Sequence, residues 1–182
     1  GLRDGMASYE LGCGSGRTAS ALQRSGWQGT YTGHDIVGRL ADYLNRSCPG
    51  YQATVNLETT ILAGSNSLDI VFHWSVFTHL FLEECYNYMV DAYRALKPGG
   101  KMIFSFLELE DQAHVEQVFA PRAAAFRNNQ KLDVLDAFLH RGQIESMARR
   151  IGFSDIAFTN GNDDRHHPAF WQSLVKMEKP LA

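Results

Sequence analysis

Short apolar runs alternate with stretches of helical periodicity up to residue 109, and this alternation constrains the fold more than any other feature of the chain. The predicted elements are strands over residues 6–11, 30–35, 51–55, 68–74 and 101–109, and helices over residues 15–25, 37–47 and 81–96. Strands separated by helices pair in parallel through right-handed crossovers. The pattern therefore predicts an α/β fold in which a parallel sheet lies between helices.

The pattern changes after residue 110. The elements predicted beyond it are helices over residues 111–120 and 143–151 and a hairpin of strands over residues 153–159 and 170–177. Residues 121–140 favour no single element, and the hairpin would add an antiparallel edge to the sheet. A chain of 182 residues can bury one sizeable core, so we expect residues 1–182 to form a single domain.

Composition and charge argue against several classes of protein. The net charge is −3 without a cluster of basic residues, so we expect no nucleic-acid partner. Three cysteines without a CxxC pair favour neither a disulfide framework nor a zinc site. We find no signal-peptide pattern and no run approaching about 18 apolar residues. These features predict a soluble, cytoplasmic protein that does not associate with a membrane; they say nothing about its oligomeric state.

The segment ELGCGSGR at residues 10–17 joins the first predicted strand to the first helix. Gly12, Gly14 and Gly16 permit positive φ angles and a close approach of a ligand to the backbone, and the free N–H groups of the helix start favour an anionic group. The GxGxG spacing differs from the GxGxxG of a dinucleotide site, and the GK[ST] of a phosphate-binding loop is absent. Glu10 would repel a pyrophosphate, but it suits a ligand that carries an ammonium beside its carboxylate.

Further polar positions follow the next two predicted strands. Asp35 ends the second strand, where a carboxylate can accept both hydroxyls of a ribose. The segment Asn56-Leu57-Glu58 follows the third strand and could meet an adenine ring through an apolar side chain, an amide and the backbone. Together with Glu10 and the glycines, these positions indicate a nucleoside joined to an amino acid, namely S-adenosylmethionine.

The chain resembles the class I S-adenosylmethionine-dependent methyltransferases. The resemblance rests on ELGCGSGR at 10–17, YTGHD at 31–35, SLDIVFHWSVFTHL at 67–80 and ALKPGGKMIFSF at 95–106, in the family's order and spacing. It implies a three-layer Rossmann-like fold whose seven-stranded, mostly parallel sheet has the order 3-2-1-4-5-7-6, with strand 7 antiparallel. Family members commonly carry lid helices upstream of the first strand, so we expect the chain to be trimmed or to be one domain of a longer protein.

The resemblance also implies roles for individual positions. The cofactor-binding positions would be Glu10, Gly12, Gly14 and Gly16 at the methionine part, Asp35 and Ile36 at the ribose, Asn56 and Leu57 at the adenine, and His73, Trp74 and Ser75 at the methyl-donor end. The acid that usually contacts the adenine has no evident counterpart, and Asn56 or Glu58 could replace it. We expect no metal site, because the polar run NDDRHH at 162–167 is typical of a hairpin loop.

The expected reaction is transfer of a methyl group from S-adenosylmethionine to a small or medium-sized acceptor by direct SN2 displacement, with S-adenosylhomocysteine as product. Positioning supplies most of the acceleration in such a step, and His73 is the candidate general base if the acceptor needs one. Aromatic residues between positions 119 and 138 suggest an acceptor with an apolar body. His114, on a predicted helix face, is expected to be solvated. Glu108, Glu110 and Asp111 could bind the acceptor or a metal, but residues at such a place more often cap the next helix.

Three other functions stay open at this point. The chain could be a nicotinamide-dependent oxidoreductase on a similar sheet, although Glu10 and Arg17 argue against it. It could be a non-catalytic domain that binds S-adenosylmethionine within a larger assembly, although the nearly complete cofactor pattern favours an enzyme. It could also use the same cofactor for another reaction, such as aminopropyl transfer.

Overall fold

The computed structural model of the chain describes residues 2–163 and 171–181. Its centre is a seven-stranded sheet with the order β3-β2-β1-β4-β5-β7-β6. The strands are β1 (Ala7–Leu11), β2 (Thr30–Asp35), β3 (Gln52–Val55), β4 (Leu68–His73), β5 (Leu96–Phe106), β6 (Ser154–Thr159) and β7 (Ser173–Glu178). The pairs from β3 to β5 are parallel, and β7 is antiparallel to β5 and β6. The predicted strand order and the antiparallel seventh strand are confirmed.

Helices pack on both faces of this sheet. The helices that do so are α1 (Arg17–Arg24), α2 (Gly38–Ser47), α3 (Leu82–Ala95) and α6 (Arg141–Ile151). Two shorter helices, α4 (Gln112–His114) and α5 (Ala120–Arg127), lie between β5 and α6 in the chain. Buried residues of α1 and α2 form one apolar cluster with the sheet, and those of α3 and α6 form another. Val71 and Phe72, successive residues of β4, belong to different clusters, as expected for a strand that is buried on both faces.

Strand β5 differs from its prediction at both ends. It begins at Leu96 and runs through the Lys97-Pro98-Gly99-Gly100 segment that was expected to be a break. The reason is pairing with the chain just beyond β7: the N–H of Gly99 donates to the carbonyl of Lys179 (2.8 Å), and the N–H of Lys179 donates to the carbonyl of Gly100 (2.9 Å). The strand ends at Phe106 rather than at residue 109, and Leu107 then forms an isolated bridge with Phe138.

The segment after β5 forms a helical stretch with a local irregularity. Asp111 caps α4, because its carboxylate accepts the N–H groups of Ala113 (2.9 Å) and His114 (3.2 Å). A π-helical turn, Val115–Phe119, separates α4 from α5. The turn lies directly before Pro121, which has no N–H to continue the α-helical pattern.

The strand register brings the predicted site residues to one edge of the sheet. Leu11 pairs with His34 on one side and with His73 on the other, so the residues that follow β1, β2 and β4 lie at the same carboxyl edge. The strand order reverses between β1 and β4. In open α/β sheets, ligands bind in the crevice at such a switch point. Within the described residues, none of the helices has both the length and the apolar character needed to span a bilayer.

Candidate functional site

The glycine loop after β1 depends on its three glycines for its backbone conformation. Gly12, Gly14 and Gly16 have φ angles of 60°, 53° and 85°, which lie in the left-handed region that other residues rarely adopt. The loop is tied to β2, because the N–H of Cys13 donates to the carbonyl of His34 (2.9 Å). Gly16 is also the N-terminal cap of α1. The loop is therefore a defined turn at the switch point.

Only one of the three glycines faces open space. A Cβ atom at Gly12 would lie 2.6 Å from a methyl carbon of Val76, and one at Gly16 would lie 2.8 Å from Cγ of Leu44. A Cβ atom at Gly14 would meet nothing within 4 Å. At two of the glycines a side chain would collide with the protein's own packing, whereas at Gly14 the space that a side chain would occupy is open.

Asp35, predicted to contact a ribose, also holds the loop. Its two carboxylate oxygens accept one backbone N–H each, from Gly14 (2.9 Å) and from Val37 (2.9 Å). The residue is buried and has no side-chain cation within salt-bridge distance among the described residues. Each carboxylate oxygen has two acceptor positions, so one position per oxygen stays available for a ligand hydroxyl.

Glu10 lies at the inner wall of the same loop. Its side chain is only 3 % exposed, and its two oxygens accept hydroxyl groups from Thr18 (2.8 Å) and from Tyr31. Burial raises the pKa of Glu10 to about 7, although the two hydroxyl donors and the charge of Arg17 oppose this shift. The carboxyl group is therefore poised to lose its proton when a cation binds beside it.

A cavity of about 190 Å³ opens in front of the glycine loop. The residues that line it are Glu10, Gly12, Cys13, Gly14, Ser15, Arg17, Thr18, Trp74 and Ser75. Five predicted positions thus meet around one cleft, and Asp35 joins them through its hydrogen bond to Gly14. Ser75 is fixed by its backbone, whose N–H donates to Oγ of Ser105 on β5 (2.8 Å). We refer to this cavity as the cleft.

The residues predicted for the adenine and ribose lie beside the cleft rather than in its wall. Ile36 is 67 % exposed and Leu57 is 76 % exposed, so both offer apolar surface that a flat ring could cover. Asn56 is buried, and its amide is used within its own loop: it donates to the carbonyl of Thr60 (2.9 Å) and accepts the N–H of Glu58 (3.1 Å). A direct contact of the Asn56 amide with adenine would require this loop to open.

His73 lies beneath the cleft and not on its surface. The ring is fully buried, stacks on Phe104 with centroids 5.0 Å apart, and contacts Phe77 at 4.1 Å. Neither ring nitrogen has a hydrogen-bond partner among the described residues, and burial lowers the pKa of His73 to about 3. A general base must come within hydrogen-bond reach of the proton that it removes, and this geometry argues against that role for His73.

A second cavity, of about 810 Å³, lies on the β5 side of the same edge. Four of the ten residues that line it are acidic, namely Glu108, Glu110, Asp111 and Glu116, and the others are Gln112, Ala113, His140, Arg141, Asn160 and Asn162. Glu108 is buried and forms a two-point ion pair with Arg141 (2.6 and 2.7 Å). The expectation of an acceptor with an apolar body stays a prediction. Phe126 lies in a separate surface pocket.

One further expectation is wrong in the structure. His114 is buried, not solvated: its Nδ1 accepts the N–H of Glu108 (3.1 Å) and its Nε2 donates to the carbonyl of Trp171 (3.1 Å). No group of three potential metal ligands occurs among residues 2–163 and 171–181. Most of the polar run at 162–167 lies outside the described residues. Sequence reasoning missed Tyr31 and Thr18, the two donors to Glu10, since only the pairing of β1 with β2 and the position of α1 show that they converge.

Comparisons with known proteins agree with this geometry. The profile of the family described as "Methyltransferase domain" matches residues 9–104, more than half of the chain. A methyltransferase of Methanosarcina mazei that depends on S-adenosylmethionine has a similar structure, with a TM-score of 0.75 and 15 % identity over 100 % of this chain and 95 % of that chain. A chain from the complex of a Haloferax volcanii methyltransferase with a methyltransferase activator has a TM-score of 0.72 and 14 % identity, over 100 % of this chain and 85 % of that chain.

A third similar structure is larger. The phosphoethanolamine N-methyltransferase 2 of Haemonchus contortus, solved with phosphomonomethylethanolamine and S-adenosylhomocysteine, gives a TM-score of 0.69 and 16 % identity over 99 % of this chain and 50 % of that chain. At these identities the superpositions show a shared fold, while the family match covers the glycine loop and the strands that position it. The fold, the loop at its switch point and the family match together place the chain among the class I methyltransferases, whose methyl donor is S-adenosylmethionine.

Proposed function

We propose that this chain transfers the methyl group of S-adenosylmethionine to a small polar acceptor, and that the cleft holds the donor. The observation that carries the proposal is the open face of Gly14, which lines the cleft together with Glu10 and donates its N–H to the carboxylate of Asp35. When bound, S-adenosylmethionine supplies an electrophilic methyl group on a positively charged sulfur. The cleft would have to bind and orient a molecule with an ammonium, a carboxylate and a ribose.

Each part of such a ligand has a matching group in this chain. Glu10 would receive the ammonium, and the N–H groups at the start of α1 would meet the carboxylate. Asp35 has one free acceptor position on each oxygen for the ribose hydroxyls. Ile36 and Leu57 would lose exposed apolar surface to the adenine ring.

The cleft offers positioning rather than proton transfer. Burial raises the pKa of the Cys13 thiol to about 12, so this thiol stays protonated near neutral pH. Glu10 is engaged by two hydroxyl donors, and His73 lies below the floor. The acceleration would therefore come from holding the acceptor in line with the methyl group, and a deprotonated nucleophile would need no base.

We assign the acceptor to the side of the second cavity, because that cavity follows β5 at the same edge of the sheet. Glu110, Asp111 and Glu116 would favour a polar or cationic molecule over an apolar one. No nucleic acid is expected as acceptor, since the charges lining this cavity are mainly negative.

Two measurements test the proposal. Titration calorimetry with S-adenosylhomocysteine and with NADH should show one bound S-adenosylhomocysteine per chain and no saturable binding of NADH. Incubation with S-adenosylmethionine carrying a deuterated methyl group and a panel of small amines, thiols and carboxylates, followed by mass spectrometry, should show the label in an acceptor. Binding of NADH in place of S-adenosylhomocysteine, or transfer of another part of the cofactor, would contradict the proposed function.

A further inference from the structure

Glu10 occupies an unusual position, because it is a buried carboxyl group that also forms part of the cleft wall. No lysine, arginine or histidine nitrogen lies within 4.0 Å of it among the described residues. Its polar neighbours are instead two neutral hydroxyl groups, from Thr18 on α1 and from Tyr31 on β2, and each binds a different carboxyl oxygen. Two hydroxyl donors can stabilise a carboxylate without neutralising its charge.

Tyr31 reaches Glu10 because of the strand register. Glu10 is paired with Gly33 of β2, and Tyr31 lies two residues before Gly33, on the same face of that strand. A Cβ atom at Gly33 would lie 3.0 Å from the hydroxyl oxygen of Tyr31, so the missing side chain leaves room for this hydroxyl to lean across to β1. Among the described residues, Glu10 is the only hydrogen-bond partner of that hydroxyl.

We propose that Tyr31, together with Thr18, is a positioning residue that keeps the Glu10 carboxylate ionised and directed at the cleft, where it receives the ammonium of the donor. This inference rests on the proposed function and adds to it a residue outside the glycine loop. The packing of the Tyr31 ring, which lies 5.1 Å from that of Tyr51, would be equally served by phenylalanine. What the hydroxyl group adds is the hydrogen bond to Glu10.

The surroundings of Glu10 determine in which direction loss of a hydroxyl donor should shift the pH dependence of ligand binding. Burial raises the pKa of Glu10 to about 7, and the nearby charge of Asp35 acts in the same direction. The hydroxyl donors and the charge of Arg17 counteract the shift, so loss of one donor raises this pKa further. The ligand ammonium binds the ionised carboxylate. Affinity for S-adenosylhomocysteine should thus increase with pH through the pKa of Glu10, and removal of a donor should move that increase to higher pH.

The test is titration calorimetry of the full chain with S-adenosylhomocysteine between pH 5.5 and 8.5, on the wild type and on Tyr31→Phe and Thr18→Val. We expect each variant to shift the midpoint of the pH dependence upward by about one unit and therefore to bind about fivefold more weakly at pH 7. Tyr9→Phe is the matched control, because Tyr9 is another fully buried tyrosine whose hydroxyl binds His34 (2.6 Å) and the N–H of Leu62 (3.1 Å) but not Glu10. Its pH midpoint should equal that of the wild type.

A second ligand separates positioning from general damage. 5′-Methylthioadenosine has no ammonium, so Tyr31→Phe should bind it as the wild type does. The inference is overturned if both Tyr31→Phe and Thr18→Val keep the wild-type pH midpoint for S-adenosylhomocysteine, or if they lose methylthioadenosine to the same extent. A wild-type chain that binds no S-adenosylhomocysteine at any pH would overturn the proposed function as well.

Discussion

Substitution of Gly14 by alanine tests whether its open face belongs to the ligand. The φ angle of 53° places residue 14 in the left-handed region, where an alanine costs about 1 kcal/mol of stability. The protein itself offers no atom within 4 Å of the new methyl group, so the variant should fold. A bound S-adenosylhomocysteine would have to move away from that methyl group, at a cost of about 1–3 kcal/mol by analogy with overpacked cores. This corresponds to about a 5- to 150-fold higher Kd.

Gly26→Ala is the control that separates strain from ligand contact. Gly26 has a φ angle of 76°, also faces no atom within 4 Å, and follows α1 outside the lining of the cleft. Both variants should lose about 1 kcal/mol in urea unfolding, but only Gly14→Ala should weaken the binding of S-adenosylhomocysteine in calorimetry. Equal affinities of the two variants would refute the assignment of Gly14 to the ligand surface.

Three further predictions concern stability. Gly12→Ala should lower the free energy of unfolding by about 3 kcal/mol, because its methyl group adds a contact at 2.6 Å with a neighbouring valine to the left-handed strain; a urea midpoint equal to that of Gly14→Ala would contradict this. Burial lowers the pKa of His73 from 6.5 to about 3, so the unfolded chain takes up a proton before the folded one does, and stability is lost as the pH falls below about 6.5. His73→Phe should remove that loss and gain about 2 kcal/mol relative to the wild type between pH 7 and pH 5, whereas Phe104→Leu in the same pocket should show a pH-independent difference. Arg141→Met leaves the buried carboxylate of Glu108 without its cation and should cost about 3 kcal/mol in thermal or urea unfolding; a change below about 0.5 kcal/mol would mean that the pair contributes little.

The parts of the fold that depend on local patterns were predictable from the sequence. The apolar runs predicted the bounds of β1 and β2 to within one residue, and the glycines indicated the turn before α1. The predicted beginning of β5 was wrong. A Pro-Gly-Gly segment usually interrupts a strand, but here it pairs with the chain that follows β7. A local sequence pattern cannot indicate pairing partners that lie far away along the chain.

In the candidate site, too, some features could be predicted from the sequence and others depend on long-range contacts. The sequence assigned Glu10, Gly14 and Asp35 to one ligand site. In the structure, Glu10 and Gly14 line one cleft, and Asp35 accepts the N–H of Gly14. The burial of His114 and the contact between Tyr31 and Glu10 could not be predicted, because each depends on the partners that other strands and helices supply. His73 was a candidate base on position alone, and the stacking on its aromatic neighbours became visible only in three dimensions.

A crystal structure of the chain soaked with S-adenosylhomocysteine tests the central claim most directly. The account predicts ligand density against Gly14, with the ammonium at the Glu10 carboxylate and the ribose hydroxyls at Asp35. Density for the ligand at any other place on the fold, with the cleft filled only by solvent, would contradict it.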